Sequence, residues 1–206
     1  MPEQSQQPAA DRPYHHGNLR ESVLNATLEV LANRDPAAVS FRDLARKVGV
    51  RHSALYSHFR DRNDLLAVLA SDGFKLLYAD LVAVTGRATH RLTVLAESYI
   101  RFARAHPAYY KVMFLPEVTQ PENIDRLDEV CKSCFDLLQE ALRETPIVSD
   151  VEVHERAIAI WSTLHGLVVL GDDSGPLSRQ VPSELEPQIA SRIVMALASA
   201  EWPLDS

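Results

Sequence analysis

The sequence predicts an all-α protein: an N-terminal three-helix helix-turn-helix unit joined to a larger C-terminal helical domain. Three observations carry this. Apolar residues recur at helical spacing along most of the 206-residue chain. No segment sustains period-two alternation, and no Asn-Gly or Asp-Gly pair sits between two alternating runs. Residues 40–62 fit two short helical faces on either side of a glycine.

A first helix is expected from about Leu19 to Ala32, with Leu19, Val23, Ala26 and Val30 on one face. Asp35-Pro36 closes the connection that follows. In the second helix Phe41, Leu44, Ala45 and Val48 fall at i, i+3, i+4 and i+7. Ser40 and Asp43 form an S-x-x-D start, in which the hydroxyl accepts from an orphan N–H and the carboxylate suits the positive helix end. Gly49 turns the chain through positive φ without steric cost. Val50, Leu55 and Phe59 supply the inward face of a third helix.

A fourth helix is expected from about Asp61 to Val84, long enough to lead out of the small unit into the large one. Further helices follow at about Arg91–Ala105, Ala108–Leu115, Glu122–Glu144, Val151–Leu170 and Glu184–Ala200, with Pro107 and Pro116 as punctuation. Between the last two lies GDDSGPLSRQVPS (171–183), a loop by composition. The expected division is a disordered arm over 1–13, a helix-turn-helix domain over 14–62 and a helical domain over 63–206.

No apolar run approaches the roughly 18 residues that span a bilayer, so no membrane partner is expected. No basic-then-apolar start suggests a secretory signal, and two cysteines fit a reducing cytoplasm. Net charge is −7, which alone argues against nucleic acid. Its distribution does not. Residues 1–65 hold nine Lys/Arg against eight Asp/Glu, and residues 66–206 hold twelve against twenty. Arg42, Arg46, Lys47, Arg51, Arg60 and Arg62 crowd into one short stretch.

On the third helix the outward residues are Arg51, His52, Ser53, Ala54, Ser57 and His58, all small, polar or basic. An outer face without acid, braced by a second helix across a glycine turn, is the layout that enters the DNA major groove. Arg51 reads guanine bidentately or holds a phosphate; the sequence leaves both open. Ser40 and Arg62 open helices whose N-termini suit phosphate. In the larger half, Tyr99, Phe102, Tyr110, Met113, Phe114, Phe135 and Trp161 form an aromatic-rich interior, and His165 lies four residues after Trp161. Hydroxyls and an indole N–H among them suit a small-molecule pocket better than a dry core. Leu164 and Val168 on one helix, and Ile189, Ile193 and Leu197 on another, exceed one buried face and point to a homodimeric four-helix interface.

The residues YHHGNLR (14–20), FRDLARKVGV (41–50), ALYSHF (54–59) and DLL (64–66) resemble the DNA-binding domain of the TetR/AcrR family of bacterial transcriptional regulators. HPAYYKVMF (106–114) and WSTLHG (161–166) resemble the regulatory domain of the subgroup named for its Trp-His-Gly signature. The resemblance implies double-stranded operator DNA as a partner, with the Tyr56 hydroxyl and His58 on its backbone, and a cytoplasmic homodimer. A repressor released by a small-molecule effector is the expectation that follows, with no cofactor and no catalysis. Arg51 departs from the pattern, standing where the family usually has a Ser or Thr cap.

Two rival readings come from other classes. Cys131 and Cys134 form C-x-x-C, as in a redox or metal sensor, although a second pair for a zinc site is missing. A helical interaction module that does not bind DNA is the other. No G-x-S-x-G, P-loop or H-E-x-x-H motif supports an enzyme.

Overall fold

A computed structural model describes residues 19–86, 88–146, 149–171 and 186–199. Among them the chain forms eight α-helices, two short 3-10 segments and no strand. The helices are α1 (Leu19–Asn33), α2 (Phe41–Val48), α3 (Arg62–Val82) and α4 (Ala88–Ala105), then α5 (Pro107–Met113), α6 (Pro121–Arg143), α7 (Asp150–Leu170) and α8 (Glu186–Ser199). The expected arm over 1–13 and residues 172–183 of the expected loop lie outside the described residues.

The turn between α2 and the next segment follows from its glycine. Gly49 sits at φ 78°, ψ 30°, and Val50 N–H donates back to the Ala45 carbonyl at 2.9 Å. Two local expectations need correction. The third helix is a 3-10 segment, His52–Ser57, closed by bonds such as Ala54 N–H to Arg51 C=O at 2.9 Å. Its bonds run i→i+3, the tighter winding. It still turns Leu55 and Phe59 inward, at 0% and 1% exposure. Ser40 occupies the N-cap of α2 with extended backbone, but its hydroxyl makes no capping bond. Asp43 stands in the first turn of α2 as expected and also accepts from Arg46 at 2.8 Å.

α3 is the trunk of the molecule. Asp61 caps it by accepting from Asp64 N–H at 2.8 Å, and Leu65, Leu66, Leu69, Phe74 and Leu77 bury its length. It packs on α5 and α6, while α4 packs on α8, α7 on α6 and α8, and α1 on α2 and α5. Thus α5 touches both α1 of the small unit and the body. Gly73 permits the α3–α5 approach: a Cβ there would lie 2.9 Å from Met113 Sδ and 3.3 Å from Tyr109 Cβ. Gly73→Val is therefore expected to destabilise the fold by roughly 1–3 kcal/mol through overpacking. A melting curve superposable on that of the unaltered protein would contradict it.

Candidate nucleic-acid interface and ligand cavity

Most of the expected DNA-facing residues reach solvent on the small unit. Arg42, Arg51, His52, Ser53, Tyr56, Ser57 and His58 are exposed, and Ala54 is half-buried between them. Tyr56 is 54% exposed, yet its ring is fixed by Phe41 at 5.3 Å and His52 at 5.2 Å. A hydroxyl on an immobilised ring suits a phosphate contact, because little rotamer freedom remains to be lost. Ser57 Oγ donates to the Ala54 carbonyl at 2.7 Å. Residues 51–58 include no carboxylate, so the exposed segment offers donors and positive charge. Arg51 opens the segment without a side-chain capping bond, as its departure from Ser or Thr requires.

Ser40 and Arg62 fit the interface less well. Ser40 is half-buried, and Arg62 turns inward. Arg62 donates to the Pro36 carbonyl at 2.7 Å and to Asn63 Oδ1 at 3.1 Å. It ties the start of α3 to the α1–α2 connection. The N-terminus of α3 is also occupied by its own acids: Asp61 caps it, and the buried Asp64 carboxylate accepts from Arg60 N–H at 3.0 Å. A phosphate there would meet existing negative charge.

The expected pocket residues divide into three groups. Phe102 and Met113 are 1% and 2% exposed and belong to the core. Tyr99, Phe135 and Trp161 pack edge-on, with Trp161 5.5 Å from Tyr99 and 6.0 Å from Phe135. Tyr110, Phe114 and His165 line a cavity of about 300 Å³ between α4, α5 and α7, while Phe135 and Trp161 border a second one of about 320 Å³ between α6 and α7. The wall of the first also contains Arg104 and Lys111, which sequence reasoning missed, and Val168, which it assigned elsewhere.

A polar chain runs from the core to this first cavity. Tyr99 and Tyr110 hydroxyls are 3.0 Å apart, and Tyr110 Oη is 2.7 Å from His165 Nδ1. Burial raises the pKa of both phenols, so both keep their protons. Among the described residues Tyr110 is the partner within reach of the Tyr99 hydroxyl, so Tyr99 donates to Tyr110. Tyr110 then donates to His165 Nδ1, which leaves the ring proton on Nε2. Burial lowers the pKa of His165, consistent with a neutral ring. The unfolded chain therefore takes up a proton that the folded one refuses. Stability should be complete above the ordinary value of 6.5 and fall as pH drops below it. Urea denaturation of the unaltered protein and of His165→Gln across this range checks the sign: the substitution should flatten the acid limb.

The expected dimer residues also divide. Leu164 and Val168 are 5% and 4% exposed, turned into the protomer, and are not available to a partner. The reason is that α7 is apolar on most of its circumference, and α4 and α8 cover the face holding Leu164 and Val168. Ile189, Ile193 and Leu197 are half-buried on the flank of α8 opposite Ser191, whose hydroxyl donates to Glu97 of α4. The outward pole of α7 is a different stripe: Val151, Ile158 and Val169, at 69%, 48% and 52% exposure. At Gly166, near this stripe, an added Cβ would meet nothing within 4 Å, so the protomer itself does not require a glycine.

The cysteines are poorly suited to redox or metal chemistry. Cys134 is buried, its Sγ 3.5 Å from the Phe74 carbonyl, and burial pushes its thiol up to about 12. Burial pushes Cys131 up as well. A reactive thiol needs the opposite shift. No cluster of His, Cys, Asp and Glu fit for a metal occurs among the described residues.

A small unit with an acid-free, donor-rich outer face, carried on a helical body with a side cavity, is the construction of a DNA-binding transcriptional regulator. The chain belongs to the tetR family of bacterial regulatory proteins. That family's model matches residues 23–69, and a tetracyclin repressor-like C-terminal domain matches residues 92–194. Trp161, His165 and Gly166 lie inside the second match. The HTH-type transcriptional regulator YobS of Bacillus subtilis is 27% identical over 156 residues, covering 75% of this chain and 79% of that protein. The HTH-type transcriptional repressor KstR2 of Mycolicibacterium smegmatis is 23% identical over 181 residues, covering 84% and 88%. A solved structure of a protein with unknown function from Rhodococcus sp. RHA1 has a TM-score of 0.74 at 29% identity, covering 90% of this chain and 97% of that one. Among the described residues no helix is long and apolar enough to cross a membrane.

Proposed function

We propose that the protein is a cytoplasmic, two-fold symmetric repressor that leaves its operator when a small molecule occupies the α4–α5–α7 cavity. Residues 14–62 read the DNA, and 63–206 hold the ligand and the partner protomer. The observation that carries this reading is the position of α5. It forms one wall of the cavity, packs on α1 and α3, and holds α1 directly: Lys111 Nζ donates to the Leu31 carbonyl at 3.2 Å. A ligand that binds better when α5 is displaced lowers DNA affinity by its differential affinity for the two arrangements.

The test is fluorescence anisotropy of the purified protein on DNA flanking its own gene, with footprinting to locate the site and a small-molecule screen for release. Protection of a two-fold site and displacement by a compound that binds the cavity would support the proposal. DNA binding that no compound alters would remove the effector and leave the regulator. Within the interface, Tyr56→Phe and His58→Ala are each expected to weaken binding about equally on operator and scrambled DNA, because phosphates carry no sequence. Losses confined to the operator would show that these side chains read bases.

A further inference from the structure

We infer that the cavity is built for a small apolar monocarboxylate, whose carboxylate is held by Lys111. The inference rests on the effector reading above and names the chemistry of the ligand.

The wall has a one-sided polarity. Among its described residues, Phe114, Pro107, Val168 and Val169 supply apolar surface, and none is Asp or Glu. Its polar residues are Arg104, Lys111, Tyr110 and His165. The two cations only donate. The Tyr110 proton is directed at His165 Nδ1, which leaves Nε2–H as the one donor of that ring. A ligand that satisfies such a wall must bring acceptors, and a carboxylate brings two oxygens without a proton.

The charge on the wall says how many acids. Arg104 is already matched by Glu186, a fully buried carboxylate that meets both its Nε, at 2.7 Å, and its Nη2. That pair also receives help from the Val168 carbonyl, 3.3 Å from Arg104 Nη2. Arg104 and Glu186 therefore neutralise one another and fix the start of α8 to α4. Lys111 is different. The group on its ammonium is the neutral Leu31 carbonyl, in the last turn of α1. One positive charge on the wall is thus not neutralised by that hydrogen bond. It fits one carboxylate, and a dianion would bring a second charge against Glu186.

The same geometry connects the ligand to the small unit. Carbonyls in the last turn of a helix lack an intrahelical partner, and Lys111 satisfies one of them from another element. A carboxylate is the stronger acceptor for an ammonium. Drawing Lys111 towards the cavity releases the end of α1, which packs on α2 and so on the segment that carries Tyr56.

The test uses the full chain with a matched pair of probes, octanoate and octanamide, which share an apolar tail and differ in charge. Binding is read by isothermal titration calorimetry and DNA affinity by anisotropy. The expected result is at least tenfold tighter binding of octanoate, with the preference abolished in Lys111→Met, which retains most of the apolar stem. Equal binding of acid and amide, or no binding of octanoate at all, would overturn the inference. So would a preference that survives in Lys111→Met. If that variant does not fold, the acid–amide comparison in the unaltered protein still decides, supported by Lys111→Arg, which should keep the preference. The two readings fail separately. Octanoate bound through Lys111 without any change in DNA affinity would sustain the carboxylate site and refute effector release. Release by neutral compounds from a cavity that ignores octanoate would do the reverse.

Discussion

Phe59→Ala is expected to unfold the small N-terminal unit and abolish DNA binding. Phe59 is 1% exposed and among the largest fully buried side chains. Its ring closes the segment that carries the DNA-facing residues, with its own N–H donating to Leu55 C=O at 3.0 Å and the Arg20 guanidinium lying 5.8 Å above it. Truncating a buried phenylalanine costs about 3–5 kcal/mol from lost burial and the remaining cavity. A domain with about 5–15 kcal/mol of total stability tolerates that poorly, and a three-helix unit has the smaller share. Loss should be visible as protease sensitivity within residues 19–62 while the body stays resistant. Full operator affinity in Phe59→Ala would mean that the 3-10 segment is held from elsewhere. Tyr56→Phe is the matched control: it retains the packing on Phe41 and His52 and removes one hydroxyl.

This unit was the most legible part of the chain, for physical reasons. Phe41, Leu44 and Ala45 can share only one helical face, and Gly49 is needed where φ is positive. Both constraints are local. The 3-10 character of His52–Ser57 was not legible, because Leu55 is the one buried residue inside the segment and Phe59 lies past its end, so spacing does not fix the winding. The cavity was hard to read for another reason. Aromatic residues at helical spacing look alike whether they fill a core, as Phe102 does, or border a void, as Phe114 does. Arg104 and Lys111 carried no signal of their own. Their relation depends on the break at His106-Pro107, which turns α5 off the line of α4. Val168 was misassigned because α7 is apolar nearly all round, and periodicity cannot say which stripe the protomer keeps for itself.

Placing aspartate at both Ile158 and Ile193 is expected to give a folded monomer that has lost most of its operator affinity. The two residues differ from Leu164 and Val168 in the property that matters: they retain exposure in the protomer, Ile158 at 48%. A charge at Ile158 therefore meets water in a monomer and a dry apolar surface in a dimer. The penalty for burying an unpaired carboxylate falls on association and not on folding. Gly166, with open space around it, leaves room for a partner helix to approach α7 closely. The consequence for DNA is large because two linked reading units bind as one. Linkage commonly contributes a factor of about 10²–10⁴ over a single unit, and a monomer forfeits it. Sedimentation should show the monomer, circular dichroism an unchanged helix content, and anisotropy a loss of roughly that size on the operator. A dimer that persists with both aspartates would place the two-fold axis on another surface and exclude the stripe of Val151, Ile158 and Val169. A monomer that still binds with full affinity would instead mean that one reading unit suffices for the operator.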